Sequence, residues 1–205
     1  MSRSMSSEAY RASLKGKVIH VAMSEFLRHG VSAVKMDDIA AALSISKRTL
    51  YEIFANKEDL LLAGMKAYMA KNTAKRDKAI NEGHNVIEQF QLFYQSEIEM
   101  MSKVNPVFFS DMAKYPKVMA FRNQVHDETR QNGYNYFRRG IEEGLFRKDV
   151  DHMIVMQFSQ AILDYFILHE VYKRVSVETI FQNVVLVILR GLCTEKGARL
   201  LDEKV

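Results

Sequence analysis

Residues Ser44 to Leu61 read SISKRTLYEIFANKEDLL. Ile45, Leu50, Ile53 and Phe54 recur at helical spacing and define an inward face. Packed between them are Ser46, Lys47, Arg48, Thr49 and Tyr51, all hydrogen-bond donors, two of them cationic. If the first group faces a core, the second must face water or a partner rich in acceptors.

Ser46 is a good N-cap for a helix over Lys47 to Phe54. Upstream, Met36, Ile39, Ala40 and Leu43 form the inward face of a short helix from about Met36 to Leu43. Asp37 and Asp38 stand in its first turn, where the helix dipole favours acids. Ser44-Ile45-Ser46 is the break between the two helices. Further upstream, Leu14, Val18, Ala22 and Phe26, with Val21 and Leu27 beside them, mark a longer helix that Gly30 stops after His29. Residues 1–10 read as a disordered tail. Downstream, Asn56 caps a fourth helix, with Asp59 placed as in a capping box. That helix passes through Leu60, Leu61, Met65 and Tyr68 and ends near Gly83.

The remainder also has helical periodicity. One helix runs from His84 or Asn85 to about Lys103, stopped by Pro106, and a short one covers PVFFSDMA. Another starts at Pro116, a favoured first position, and continues to about Glu143, with Gly133 and Gly140 as candidate kinks. A turn from Gly144 leads to two more, Asp151 to Tyr172 and Val177 to Thr194. VVLVIL (184–189) alone suits a strand, but its run with Ile180, Phe181 and Leu192 favours helix. The fold class is all-α.

Two short helices joined by a tight turn form a helix-turn-helix, whose second helix enters the DNA major groove. Leu50, Ile53 and Phe54 pack inward against Phe26, Ile39 and Leu43, leaving Lys47, Arg48, Thr49 and Tyr51 outward. An eight-residue helix is about 12 Å long and fits within one groove width. Lysine and arginine pair with guanine edges, threonine with a base or a phosphate, and a tyrosine hydroxyl with a phosphate. Lys57, opening the fourth helix, offers a cation beside free amides.

Composition narrows the classes. A net charge of +4 suits nucleic acid without demanding it. The lone Cys193 excludes an internal disulfide and suits a reducing cytoplasm. The N-terminus lacks the apolar segment of a signal peptide, and VVLVIL is far short of the ~20 residues a spanning helix needs, so no membrane partner is expected. The histidines form no metal pair at helical spacing, and His126-Asp127-Glu128 reads as a solvated face. There is no nucleophile elbow, phosphate loop or HExxH motif. The chain reads as a non-enzyme with no cofactor and no metal.

The stretch KVIHVAMSEFLRHGVSAVKMDDIAAALSISKRTLYEIFANKEDLL, Lys17 to Leu61, resembles the tetracycline-repressor (TetR) family of bacterial transcription regulators. The resemblance rests on Ala22, Phe26, Gly30, Ile39, Ala40, Ser46, Thr49, Leu50, Tyr51, Phe54, Lys57 and Leu60, in order and at the family's spacing. It implies a DNA-binding domain over residues 11–64, with the helix-turn-helix at about 34–54, and a ligand-binding and dimerisation domain over 65–205. The DNA-binding residues implied are Lys35, Ser46, Lys47, Arg48, Thr49, Tyr51 and Lys57, with Tyr51 and Lys57 holding phosphates. Two positions depart from the pattern. Lys35 stands where threonine usually opens the second helix, and its ammonium can reach a phosphate instead. Ser44 stands where the turn usually has glycine, and a positive φ there carries strain. Glu52 has two roles open: accepting from a cytosine amino group, or pairing with a cation on the protein.

The family's second domain implies a pocket for a small hydrophobic ligand. Phe93, Met101, Phe109, Met112, Tyr134 and Phe158 are the expected lining, since methionine and aromatic groups adapt to irregular apolar ligands. The last two helices are apolar on more than one face, which asks for a partner subunit. Ile154, Ile162, Tyr165, Phe181, Val185 and Ile188 are the expected interface of a homodimer. The function implied is a ligand-responsive repressor on a palindromic, double-stranded operator. The alternative is a helical protein-interaction module or small enzyme that does not bind DNA.

Overall fold

Leu14, Val18, Ala22 and Phe26 are all buried, so a single stripe of the first helix carries a core. The computed structural model describes residues 7–203, the side chains of Ser7, residues 126–130, Leu163, Ile167, Tyr172 and Val177 excepted. His126-Asp127-Glu128 therefore lies outside the described side chains. The chain divides into two compact units: residues 1–70 with 105–121, and residues 71–104 with 122–205.

The first unit opens with α1, Ser7–His29. Ser7 to Tyr10, expected in the tail, are helical. Gly30 ends α1 with φ +82, its N–H donating to the Phe26 carbonyl at 2.9 Å. Then come α2 (Met36–Ala42) and α3 (Lys47–Ile53). Lys35 has no acceptor to offer α2; the side-chain bond at this end is Asp38 accepting the Lys35 N–H at 3.0 Å. At the other end, Ile45 N–H bonds to Ala40 O and Ser44 N–H to Ala41 O, both at 3.0 Å. This is a Schellman closure with Ser44 at φ 53, where glycine is the preferred residue. Helix α4 (Lys57–Asn81) begins at the Asn56 cap, whose Oδ1 accepts from Asp59 N–H at 2.9 Å. Ile39, Leu50, Phe54, Leu60 and Leu61 close the core with Phe26.

This unit also recruits a distant segment. After α5 (Val86–Met101), α6 (Val107–Met112) and the start of α7 (Pro116–Glu142) return to it. Asn105 donates to the α1 carbonyls of Leu27 at 2.7 Å and Arg28 at 3.2 Å, and Phe108 and Met112 are buried. A boundary at residue 64 is therefore too simple, because α6 is part of the N-terminal unit.

The second unit holds α5, the rest of α7, and α8 (His152–Leu168). A 3-10 turn follows at Val171–Lys173, then α9 (Val177–Ile180), a π-helical stretch (Phe181–Val185), α10 (Leu186–Leu192) and α11 (Glu195–Asp202). Its core gathers Val86, Ile87, Leu145, Phe146, Leu189, Cys193 and Leu201. Tyr136 packs beside them and donates to Val86 O at 2.8 Å. Helix α7 is continuous through Gly133 and Gly140, so neither is a break. Their service is close approach: a Cβ on Gly140 would lie 2.1 Å from the Phe146 ring, and one on Gly133 2.3 Å from the Met156 sulfur. Among the described residues there is no strand, only an isolated bridge between Phe146 and Cys193. None of the described helices is long and apolar enough to cross a membrane.

Candidate nucleic-acid interface

The outer face of α3 is set by its own sequence. Ser46 is extended, and its Oγ accepts the Thr49 N–H at 3.0 Å and pairs with the Thr49 hydroxyl at 2.8 Å. That closes the first turn. With Leu50 and Phe54 buried, Lys47, Arg48 and Tyr51 are exposed and Thr49 is half-buried. Lys35 and Ser46 are exposed on the same helix-turn-helix.

Both cations of this face have an acid of the same unit. The Lys47 ammonium lies 2.5 Å from Asp37 Oδ2, and Arg48 Nε donates to Glu52 Oε1 at 2.9 Å. The hydrogen bond to Asp37, with its charge, holds the Lys47 ammonium above the usual lysine range. Of the two roles open to Glu52, the structure has it paired with a cation of its own helix.

Two cations that sequence reasoning passed over stand nearby. Arg11 donates to the Glu52 carbonyl at 3.3 Å, and Lys15 Nζ sits 5.6 Å from the centre of the Phe54 ring. Their signal was an i, i+4 basic pair on α1, off the Leu14–Val18 stripe.

Lys57 is placed differently from a free phosphate anchor. Its ammonium donates to Val31 O at 2.9 Å and reaches Ser32 O at 3.5 Å. Burial lowers its pKa against the pull of Asp111 and Asp38. The side chain ties the start of α4 to the loop between α1 and α2.

That same loop is held from the other side by Asp111 of α6. Its carboxylate is 1% exposed and accepts from Ser32 N–H at 2.7 Å, Ser32 hydroxyl at 2.6 Å and Lys114 at 2.6 Å. Burial opposes its ionisation, but the hydrogen bonds from Lys114 and Ser32 outweigh it and hold the pKa below the ordinary 3.8. Gly30 leaves room for this contact: a Cβ there would lie 2.9 Å from Val107 and 3.0 Å from the Asp111 carboxylate.

The expected ligand-lining set is divided between the two units. Phe109 and Met112 belong to α6 in the first unit, and in the second unit Phe93, Tyr134 and Phe158 face water while Met101 is half-buried. Helical periodicity could not assign these faces, because both sides of these helices are rich in apolar groups. Two aromatic clusters of the second unit do pack together: Tyr136, Phe137 and Phe146 in the core, and Phe90, Tyr94 and Phe181, with Tyr94 and Phe181 stacked at 3.4 Å between centroids. Phe181, expected in the dimer interface, thus sets its ring against α5. Of the other expected interface residues, Ile154 and Tyr165 are exposed, and Ile162, Val185 and Ile188 are half-buried.

Residues 18–63 match the model of the bacterial regulatory proteins of the tetR family. The HTH-type transcriptional repressor KstR2 of Mycobacterium tuberculosis is 24% identical over 151 residues, spanning 71% of this chain and 76% of the relative. The solved structure of that ketosteroid transcriptional regulator superposes with a TM-score of 0.59, at 22% identity over 89% of this chain and 96% of its own. A transcriptional regulator from Marinobacter aquaeolei VT8, of the TetR family, superposes at 0.71, with 17% identity over 93% and 96% of the two chains. A putative transcriptional regulator from Saccharomonospora viridis, solved in complex with choline, superposes at 0.68, with 17% identity over 90% and 100%.

Proposed function

We propose, from the premise that this chain belongs to the tetR family of bacterial regulatory proteins and is a DNA-binding transcriptional regulator rather than an enzyme, that it is a homodimeric repressor. It holds a near-palindromic operator and is released by a small apolar or amphipathic molecule. The observation that carries the DNA reading is the outer face of α3. A capped, seven-residue helix presents Lys47, Arg48 and Tyr51 to solvent with Thr49 beside them, while Leu50 anchors its other side. In this reading Lys47, Arg48 and Thr49 meet base edges, and Lys35, Ser46 and Tyr51 meet the backbone. Lys57 acts mainly through the loop it holds.

Support for the dimer comes from α8. Ile154, Phe158, Ala161, Tyr165 and Leu168 recur at alternating steps of four and three and are all exposed, Phe158 by 67% and Leu168 by 77%. A stripe with that spacing is the seam of a helix packed on another helix. In a two-fold dimer it sets two α3 helices on half-sites about one helical turn, ~34–36 Å, apart.

Support for ligand control is chemical. The Phe90–Tyr94–Phe181 stack adjoins a π-helical stretch, a backbone form frequent at functional sites. A flat apolar ligand that prefers one arrangement of this region shifts the dimer only by its difference in affinity for the two states. One of the similar proteins is a ketosteroid transcriptional regulator and another was solved in complex with choline, two chemically distant kinds of molecule, so the ligand class here rests on this chain's own aromatic groups.

The test is the variant Lys47→Ala/Arg48→Ala/Tyr51→Ala, assayed against genomic fragments retained by the wild type. Loss of about two orders of magnitude or more in affinity, with unchanged thermal unfolding, is the expected result. Wild-type affinity in that variant sinks the assignment. In the wild type, binding must weaken steeply with salt; a flat profile favours a protein-interaction module.

A further inference from the structure

The two cations at the start of the reading helix are each met by a carboxylate. A pair this exposed adds next to nothing to folding stability. Lys47 and Asp37 side chains are 68% and 45% exposed, and Arg48 and Glu52 side chains 89% and 55%. On a surface that meets a polyanion, two acids are also a direct electrostatic cost, since each repels the phosphates that its neighbour attracts. Neither stability nor raw DNA affinity accounts for them. What they do supply is direction.

We propose that Asp37 and Glu52 are specificity-determining positioning residues, which aim Lys47 and Arg48 at base edges and withhold them from phosphates. The inference rests on the DNA-reading role of α3. Its geometry is specific. Glu52 accepts from Arg48 through Nε, at 2.9 Å. A guanidinium is planar with five donors, so engaging the Nε edge leaves the two terminal nitrogens directed outward in one fixed plane. That is the fork that matches N7 and O6 of guanine. Glu52 is itself tied at its backbone carbonyl by Arg11, which brings a cation from α1 to the far end of α3. Asp37, on α2, fixes the Lys47 ammonium at 2.5 Å across the turn, so the second helix sets where the first reading cation stands.

Generic binding to DNA is governed by the number of phosphates neutralised and is blind to sequence. A cation held by an acid contributes less to that term, because the acid competes with the phosphate. A base edge, in contrast, rewards a donor already aimed. The two acids therefore lower affinity for arbitrary DNA and sharpen the preference for a site with guanine opposite Arg48.

The experiment uses the full-length chain and two duplexes: a genomic fragment retained by the wild type, and the same fragment with its sequence scrambled. Asp37→Asn and Glu52→Gln are compared with the wild type and with Glu142→Gln. Glu142 pairs with Arg138 on α7, so the last variant makes the same change in net charge outside the reading head. The expected result is tighter binding of the scrambled duplex by Asp37→Asn and Glu52→Gln. Its dependence on salt should steepen by up to about 0.9 in the log–log slope for each cation released. The ratio of affinities for the two duplexes should fall by about tenfold, the scale of one bidentate base contact. Glu142→Gln should change neither. Preserved discrimination in both acid variants overturns the inference, as does a parallel rise in affinity for both duplexes. Those outcomes leave the DNA-reading role of α3 standing. If the wild type discriminates between no duplexes and shows no salt dependence, that role falls first.

Discussion

The two units of this chain finish their surfaces in opposite ways. The first buries its apolar stripe: Phe26, Ile39, Leu50 and Leu60 have no exposure, and what remains outside on α3 is mostly ionic or hydroxylic. The second has a good core around Ile87, Leu145 and Phe146, yet leaves Ile154, Phe158, Tyr165, Leu168 and Val187 in water. A closed core with a polar outer face is complete as a folded head and needs only an acceptor-rich partner. A core with a second apolar face outside it has the mark of an interaction surface. On the proposed function, the difference separates the two kinds of partner, nucleic acid for the one and a copy of the chain for the other.

The contrast can be broken most sharply at its apolar side. Phe158→Asp puts a charge in the middle of the α8 stripe. Sedimentation should then report a monomer where the wild type is a dimer, and operator affinity should drop about a hundredfold or more as the two half-sites uncouple. A Phe158→Asp protein that sediments as a dimer would show the stripe to be no interface. The polar bracing of the head gives the next largest effect. Asp111→Ala strands the Ser32 N–H and hydroxyl, and denaturant unfolding of the head should lose about 2–3 kcal/mol. The native pKa of Asp111 is held below its ordinary 3.8, so the wild type gains this stability in full above that value. As pH falls through the depressed pKa the carboxylate protonates and the gain is lost. The gap between the two proteins should therefore close in acid, and a gap that stays constant would mean the charge is not what matters. The smallest effect is a gain. Ser44→Gly relieves a left-handed serine and should stabilise the head by about 1 kcal/mol. Melting should rise by about 2–4 °C with operator affinity unchanged.

What was legible in the sequence follows the range of each interaction. The Ser46 cap, the Asn56 cap, the stripe of α1 and the glycine-like position of Ser44 depend on neighbours within about one helical turn, and they read correctly. Lys57 did not read as it stands, since its carbonyl partners at Val31 and Ser32 lie 26 and 25 residues away. Asp111 was passed over for the same reason, with Ser32 at a separation of 79. Helix α11 lies beyond the last helix expected, which ended at Thr194. Thr194 in fact caps α11, and Gly197 is buried where a Cβ would strike the Leu145 carbonyl at 2.2 Å. In α8 and in the π-helical stretch the period itself was ambiguous: with apolar groups on both sides, spacing alone could not say that Phe181 turns inward and Phe158 outward.

The π-helical stretch at Phe181–Val185 has one more consequence. It amounts to one residue more than an α-helix would use for the same turn. Each α-helical residue advances the side-chain direction by about 100°, so an extra residue in a regular helix would swing everything after it by that angle. The wider turn absorbs the extra residue instead, and Leu189 and Leu192 stay in the core while Phe181 keeps its ring on α5. Deleting one residue within the stretch would heal the helix into regular form with both leucines still facing inward. Deleting Val187, beyond it, would turn them toward the flank. The irregular turn thus acts as a register buffer: it tolerates a lost codon that the regular helix on its C-terminal side does not.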